Sequence, residues 1–333
     1  MHFNIRKSFL YINLILILIL FFGIILSISL GAKNIRFTEV VNSIFISRGG
    51  INSQIIWDIR IPRVLSAALV GAYLSVSGAI LQGITRNPLA EPSIIGITQG
   101  AIFTIAVFLA MEKNLASLEL MLISFLGSSF SGMLVYFISS RRIKKVDPIR
   151  LALAGVAIGT LLISLATAIA MIFNLSQQLS FWISGGLSTA RWTSLKLLFY
   201  LGIVGIVISI LISHKITIIS LGDEVATSLG VRINLVRLIA IVAVILLSGS
   251  SVSVAGNIAF VGLIVPHIVK FLVGTDYKRI IPTSILMGAN LLVYSDIVAR
   301  MINKPYETPI GSLTALIGAP IFIYLIRRGH RGI

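Results

Sequence analysis

The sequence predicts an all-α, polytopic membrane protein, and three observations carry that prediction. First, 57% of its 333 residues are apolar and only 11% are charged, where soluble domains carry roughly 25%. So few charges cannot coat a globule of this size. Second, the apolar residues gather into runs of about 20, the length at which a helix rising about 1.5 Å per residue crosses a hydrocarbon core of about 30 Å. Third, 27 Lys+Arg against 11 Asp+Glu leave a net charge of +16, and the basic residues fall between the apolar runs. Membrane topology explains such a placement better than nucleic acid does. Cys is absent, which excludes disulfides, Cys-based zinc sites, iron–sulfur clusters and thiol nucleophiles. The whole chain, 1–333, reads as one transmembrane domain.

The first run, 9–30, follows Arg6 and Lys7. It is longer than the apolar core of a signal peptide and lacks a convincing cleavage site, so a retained first helix is expected. Nine more runs follow, at about 64–84, 94–111, 118–140, 149–173, 193–213, 235–255, 258–273, 281–299 and 309–326. The eighth span is short and holds Pro266 and His267. Ten spans put both termini on one side of the membrane. With a cytoplasmic N-terminus, 17 basic residues fall inside and ten outside, and the cluster RRIKK at 141–145 is the strongest inner element. The positive-inside rule therefore sets both termini in the cytoplasm.

Sliding the chain by 178 positions brings Val64, Leu69, Gly71, Ser75, Val76, Gly78, Ile80, Pro88 and Gly96 onto Val242, Leu247, Gly249, Ser253, Val254, Gly256, Ile258, Pro266 and Gly274. Matches among Val, Leu and Ile are cheap in an apolar chain. Those of Gly and Pro are less so, because they fix backbone geometry or close helix approach. The second span runs inward and the seventh outward, so the repeat is expected to be inverted, as in transporters whose path lies between the copies.

Catalytic signatures are missing. The chain has no Gly-Lys pair and hence no phosphate-cradling loop, no H-E-x-x-H and no G-x-S-x-G. Its four His residues, His2, His214, His267 and His330, are scattered, and the only acids deep enough to consider are Asp296 and Asp147, both near helix ends. Catalysis by this chain, a metal site and a cofactor of its own are all unexpected. Mid-span positions offer amides and hydroxyls rather than the ionisable groups of an ion-coupled carrier, so the energy for transport is expected from elsewhere.

Three segments carry information. Arg60-Ile61-Pro62-Arg63 opens the second span at its outer end. Two arginines separated by a stiff proline form a fixed cationic knob, suited to a partner's carboxylate or to lipid phosphate. Downstream, Arg86-Asn87-Pro88-Leu89-Ala90-Glu91-Pro92 makes a tight inner turn. Between spans six and seven, Leu221, Gly222, Asp223, Glu224, Val225, Ala226, Leu229 and Gly230 form a short glycine-flanked helix. Its acids lie in the first turn, where the helix dipole favours them. Leu221, Val225 and Leu229 line one stripe, and that stripe packs on its own domain, the preferred reading, or inserts into a partner's groove. Finally, the eighth span is broken by Pro266. It is expected inside the bundle, because the freed carbonyl needs a partner, with His267 as a structural hydrogen-bonder. Asp296 and Arg300, four apart on one face, are expected to pair locally.

Taken together, these motifs, in this order and over about 15–328, resemble the FecCD-type permeases of ABC importers for ferric siderophores, haem and vitamin B12. The resemblance implies a ten-helix membrane subunit that pairs with a second permease copy or paralogue. It also implies two cytoplasmic ATPase subunits, which use the ATP, and an extracytoplasmic substrate-binding protein that delivers ferric siderophore cargo. By the same resemblance Arg60, Arg63 and Arg300 dock that binding protein. The 221–231 stretch contacts the ATPase, which reverses the self-packing preference. Asn257, Ala259 and Lys270 depart from the family's usual Pro, Gly and Arg, and the first two put in doubt only the local shape before span eight. Haem or vitamin B12 import is the alternative within the family, and an ion-coupled secondary carrier is the more distant one.

Overall fold

The computed structural model describes residues 5–31, 35–45, 50–111, 115–140 and 148–329. The RRIKK cluster, Asp147, His2 and His330 lie outside them. Among the described residues the chain is built from helices alone: α1 (Ile5–Ser29), α2 (Phe37–Phe45), α3 (Ile51–Gln54), α4 (Ile61–Thr85), α5 (Ile97–Met111), α6 (Ser117–Ser140), α7 (Pro148–Ile172), α8 (Ser176–Ser184), α9 (Trp192–Ser220), α10 (Asp223–Ser228), α11 (Ile233–Ala255), α12 (Val261–Val273), α13 (Tyr277–Ile302) and α14 (Ile310–Gly329). A π-turn, Ile55–Arg60, joins α3 to α4, and a 3₁₀ turn, Pro92–Ile95, precedes α5.

Each of the ten expected spans is a helix: α1, α4, α5, α6, α7, α9, α11, α12, α13 and α14. Seven of these helical stretches are long and apolar enough to cross a membrane, while α5, α12 and α14 are shorter apolar helices. At about 1.5 Å per residue, the 15 residues of α5 and 13 of α12 reach only about 20 Å. Both begin after a residue with positive φ, Gly96 (75°) and Phe260 (68°), where the chain turns into the helix.

The bundle is organised around α4. Of its most apolar window, 83% is buried, against 11% for α1, 22% for α7 and 28% for α9. It is surrounded by α9, α11, α12 and α13. Small residues permit that closeness. A Cβ on Gly71 would meet the carbonyl of Gly288 on α13, and one on Gly78 the carbonyl of Gly262 on α12. The backbones therefore touch, as at small-residue crossings in membranes.

Helix α11 runs antiparallel to α4, since Arg237 near its start bonds the carbonyl of Ile84 near the end of α4. The 178-residue register matches these two helices, in the opposite sense that the sequence predicts. It does not extend further. Pro88 lies in the connection after α4 while Pro266 is inside α12, and Gly96 precedes α5 while Gly274 follows α12. The two connections differ in length, which an ungapped comparison cannot accommodate.

Two breaks in regular helix have traceable causes. Pro62 has no N–H for the carbonyl of Asp58, and there the chain widens into the π-turn. Pro266 likewise frees the carbonyl of Gly262. The partner the sequence demanded is Gln82 of α4, whose Nε2 donates to Leu263 O at 3.1 Å and Gly262 O at 3.5 Å. Lys270 Nζ then donates to Gln82 Oε1 at 2.9 Å. His267, by contrast, has no hydrogen bond to any described residue; its ring is partly buried, with the Lys270 charge nearby.

Candidate functional site

The candidate residues collect at opposite ends of α4. At the end where α4 begins, Arg60, Arg63 and Arg300 come together, but not as an exposed knob. Their exposures are only 6%, 6% and 5%. Arg63 Nη2 lies 2.8 Å from Oδ1 of Asp296, which is fully buried, and Arg63 Nε donates to the same oxygen at 3.0 Å. Its Nη1 donates to both carboxylate oxygens of Glu307, at 2.8 and 3.0 Å. Arg300 Nη2 stands 3.0 Å from Asp296 Oδ2, the local pair that the spacing suggested.

Arg60 and Arg300 also close α1. A helix leaves its last four carbonyls without intrahelical donors, at the negative end of its dipole. Arg60 Nη1 donates to Ile28 O and Ser29 O, while Arg300 Nη1 donates to Ser27 O at 3.2 Å and Leu30 O at 3.0 Å. The burial of these arginines thus follows from α1 and from two acids on distant parts of the chain. Three arginines and two carboxylates leave the cluster with one positive charge, and Glu307, with a side chain 39% exposed, is its member nearest the surface.

At the other end of α4 stands α10. Leu221, Val225 and Leu229 are 66%, 41% and 61% exposed. The expectation that this stripe packs on its own domain is corrected. Ala226 faces inward instead, fully buried with Ile219 and Val236. The reason is electrostatic: Asp223 Oδ1 accepts from Arg237 Nη2 at 3.0 Å and lies 3.6 Å from Arg86 Nη2, which turns the first turn of α10 toward α4. Gly222 (φ 133°) and Gly230 (φ 75°) bracket the segment, and Glu224 is exposed.

Between these ends lies a carboxylate that the sequence reading treated only as part of a turn. Glu91 Oε1 accepts from the Phe260 N–H at 2.6 Å, tying the connection after α4 to the start of α12. Burial raises its pKa from 4.5 to about 7, against the lowering by the Phe260 and Ser93 hydrogen bonds. The native state therefore holds this proton more tightly than the unfolded chain. That stabilisation is complete below about pH 4.5 and lost as pH rises through about 7. Glu91→Gln is expected to flatten the pH profile of unfolding in detergent over this window, removing a pH-dependent change on the order of 3 kcal/mol. Unchanged slopes in the two proteins would exclude Glu91 as its source.

Ten apolar helices, one of them buried at the centre with charge at its two ends, define a multi-span membrane transport protein. The family model described as the FecCD transport family matches residues 18–328. The chain belongs to that family, and it is a permease of the cell membrane. Similar proteins include the iron(3+)-hydroxamate import system permease protein FhuB of Bacillus subtilis (strain 168), 47% identical, covering 93% of this chain and 81% of the relative. The iron-uptake system permease protein FeuB of the same strain is 44% identical, covering 92% of each chain. The hemin transport system permease protein HmuU of Yersinia pestis is 35% identical over 95% of this chain and 94% of its own length. Among solved structures, an inward-facing metal-chelate type ABC transporter superposes with a TM-score of 0.84 at 30% identity, covering 96% of this chain and 99% of that one.

Proposed function

We propose that this chain is the membrane permease of an ATP-driven importer of ferric siderophores. The observation that carries the reading is its 47% identity, over nine-tenths of its length, to a permease for iron(3+)-hydroxamate. On this reading the chain has no ATP site or cofactor of its own. Two cytoplasmic ATPase subunits dock on α10, whose apolar stripe stands free of its own domain, and a second permease, identical or paralogous, completes the membrane unit. Both termini are cytoplasmic, so the Arg63 end faces outward and the Asp223 end inward.

The outer cluster of Arg60, Arg63 and Arg300 receives an extracytoplasmic binding protein loaded with cargo. Its surplus positive charge supports that role. Because Arg63 is held by Glu307, a partner carboxylate reaches it by taking the place of Glu307 at the rim. ATP binding below rocks the permease pair, and the path between the two copies opens to alternate sides. Walls of hydroxyl and amide side chains suit a bulky chelate that must not stick.

Uptake of iron-55 supplied as hydroxamate, catecholate or citrate chelate, or as haem, by cells deleted for this chain and by complemented cells tests the cargo. Restored uptake of a ferric siderophore is expected. Restoration by haem alone would favour the haem reading, which rests on the 35% identity to the hemin permease.

A further inference from the structure

Building on the docking of ATPase subunits at α10, we propose that Arg237 is a positioning residue that locks α10 to the end of α4. In this arrangement α4 carries the state of the Arg63 cluster to the ATPase side. The Arg237 side chain is only 2% exposed. Its Nη2 donates to Asp223 Oδ1 at 3.0 Å, and its Nε donates to the carbonyl of Ile84 at 3.3 Å. Asp223 opens α10. Ile84 lies in the last turn of α4, where carbonyls lack helical donors and the dipole is negative. One planar guanidinium thus bonds both elements in a fixed fork, which a lysine ammonium cannot reproduce. Arg86, in the left-handed conformation (φ 53°) directly after α4, adds its charge to the same carboxylate.

The path above this joint is stiff. Helix α4 has 25 residues, about 37 Å of rise. It is packed on α9, α11, α12 and α13, and near its start Arg63 holds Asp296 and Glu307. A buried helix held by ion pairs near both ends passes a displacement on rather than absorbing it. Helix α9, joined to α10 directly through the chain, is far less buried and less constrained. A partner carboxylate that displaces Glu307 acts on Arg63, hence on α4, hence through Arg237 on α10.

The test reads coupling in the assembled complex of permease, ATPase subunits and binding protein, reconstituted in lipid nanodiscs. ATP hydrolysis is measured with and without cargo-loaded binding protein. Because Arg86 still faces Asp223 and the apolar stripe is unchanged, R237M is expected to copurify with the ATPase subunits and keep the unstimulated rate, while stimulation falls about tenfold, within the usual range of coupling between sites. R237K is expected to recover part of it, because the charge facing Asp223 survives while the bond to Ile84 is lost. Full stimulation in R237M overturns the proposal. So does loss of the ATPase from R237M, which would make Arg237 part of the docking contact itself. If R237M does not insert, R237Q takes its place, with the same loss expected and the same result overturning it. A wild-type chain that copurifies with no ATPase would sink the docking reading as well, which distinguishes the two failures.

Discussion

Replacing Asp296 with Ala is expected to lower the stability of the bundle by about 3–5 kcal/mol, the scale for removing one partner from a buried ionic group. Asp296 is fully buried and stands between Arg63 and Arg300 at 2.8 and 3.0 Å. Without it, two buried guanidinium groups are left with only Glu307, at the rim, as a counter-charge. The loss also reaches α1, because Arg300 is oriented by Asp296 while it closes the last turn of that helix. Unfolding in mixed detergent–SDS micelles measures the change. The double variant D296L/R300M is expected to recover part of it, since the second change removes a stranded charge. A D296A protein within about 1 kcal/mol of wild type would mean that the cluster is already wet.

Changing Leu221, Val225 and Leu229 together to Ser is expected to leave the permease folded and to strip it of its ATPase subunits. The three side chains are mostly exposed, so the bundle gains little from them. In a partner's groove each apolar side chain contributes up to about 1.5–3 kcal/mol. Loss of all three weakens docking by about a thousandfold or more, since each 1.4 kcal/mol is a factor of ten. Copurification from detergent measures it. Ala226→Asp is expected to act differently, destabilising the loop from inside, because Ala226 packs against Ile219 and Val236. Equal ATPase recovery from wild type and the triple variant would remove α10 as the docking element.

The sequence was informative wherever a local pattern decides the outcome. All ten apolar runs are helices, because length and hydropathy suffice for that, and the break at Pro266 demanded a carbonyl partner that Gln82 supplies. Helices α2 and α8 lie outside the ten apolar runs, although their periodicity is legible. Phe37, Val40, Val41 and Ile44 fall on one face, as do Leu175, Leu179 and Trp182. What could not be read locally is what the arginines face. Arg63 meets Asp296, 233 positions away in the chain, and Arg60 and Arg300 close a helix that ends about 30 and 270 residues before them. The inward turn of α10 was equally hidden, because it depends on Arg86 and Arg237 from other helices. The pairing of the halves was legible for α4 and α11 and lost beyond them, where the two connections differ in length.

The absence of Cys makes a direct test of the central claim possible, since a single introduced thiol is unique in the chain. Val225 is exposed on the stripe of α10, and a Val225→Cys permease treated in intact cells with a short bifunctional crosslinker should trap one soluble ATPase, while iron import stops when that ATPase is deleted. Import that continues after the deletion, with no ATPase trapped at position 225, would contradict the account.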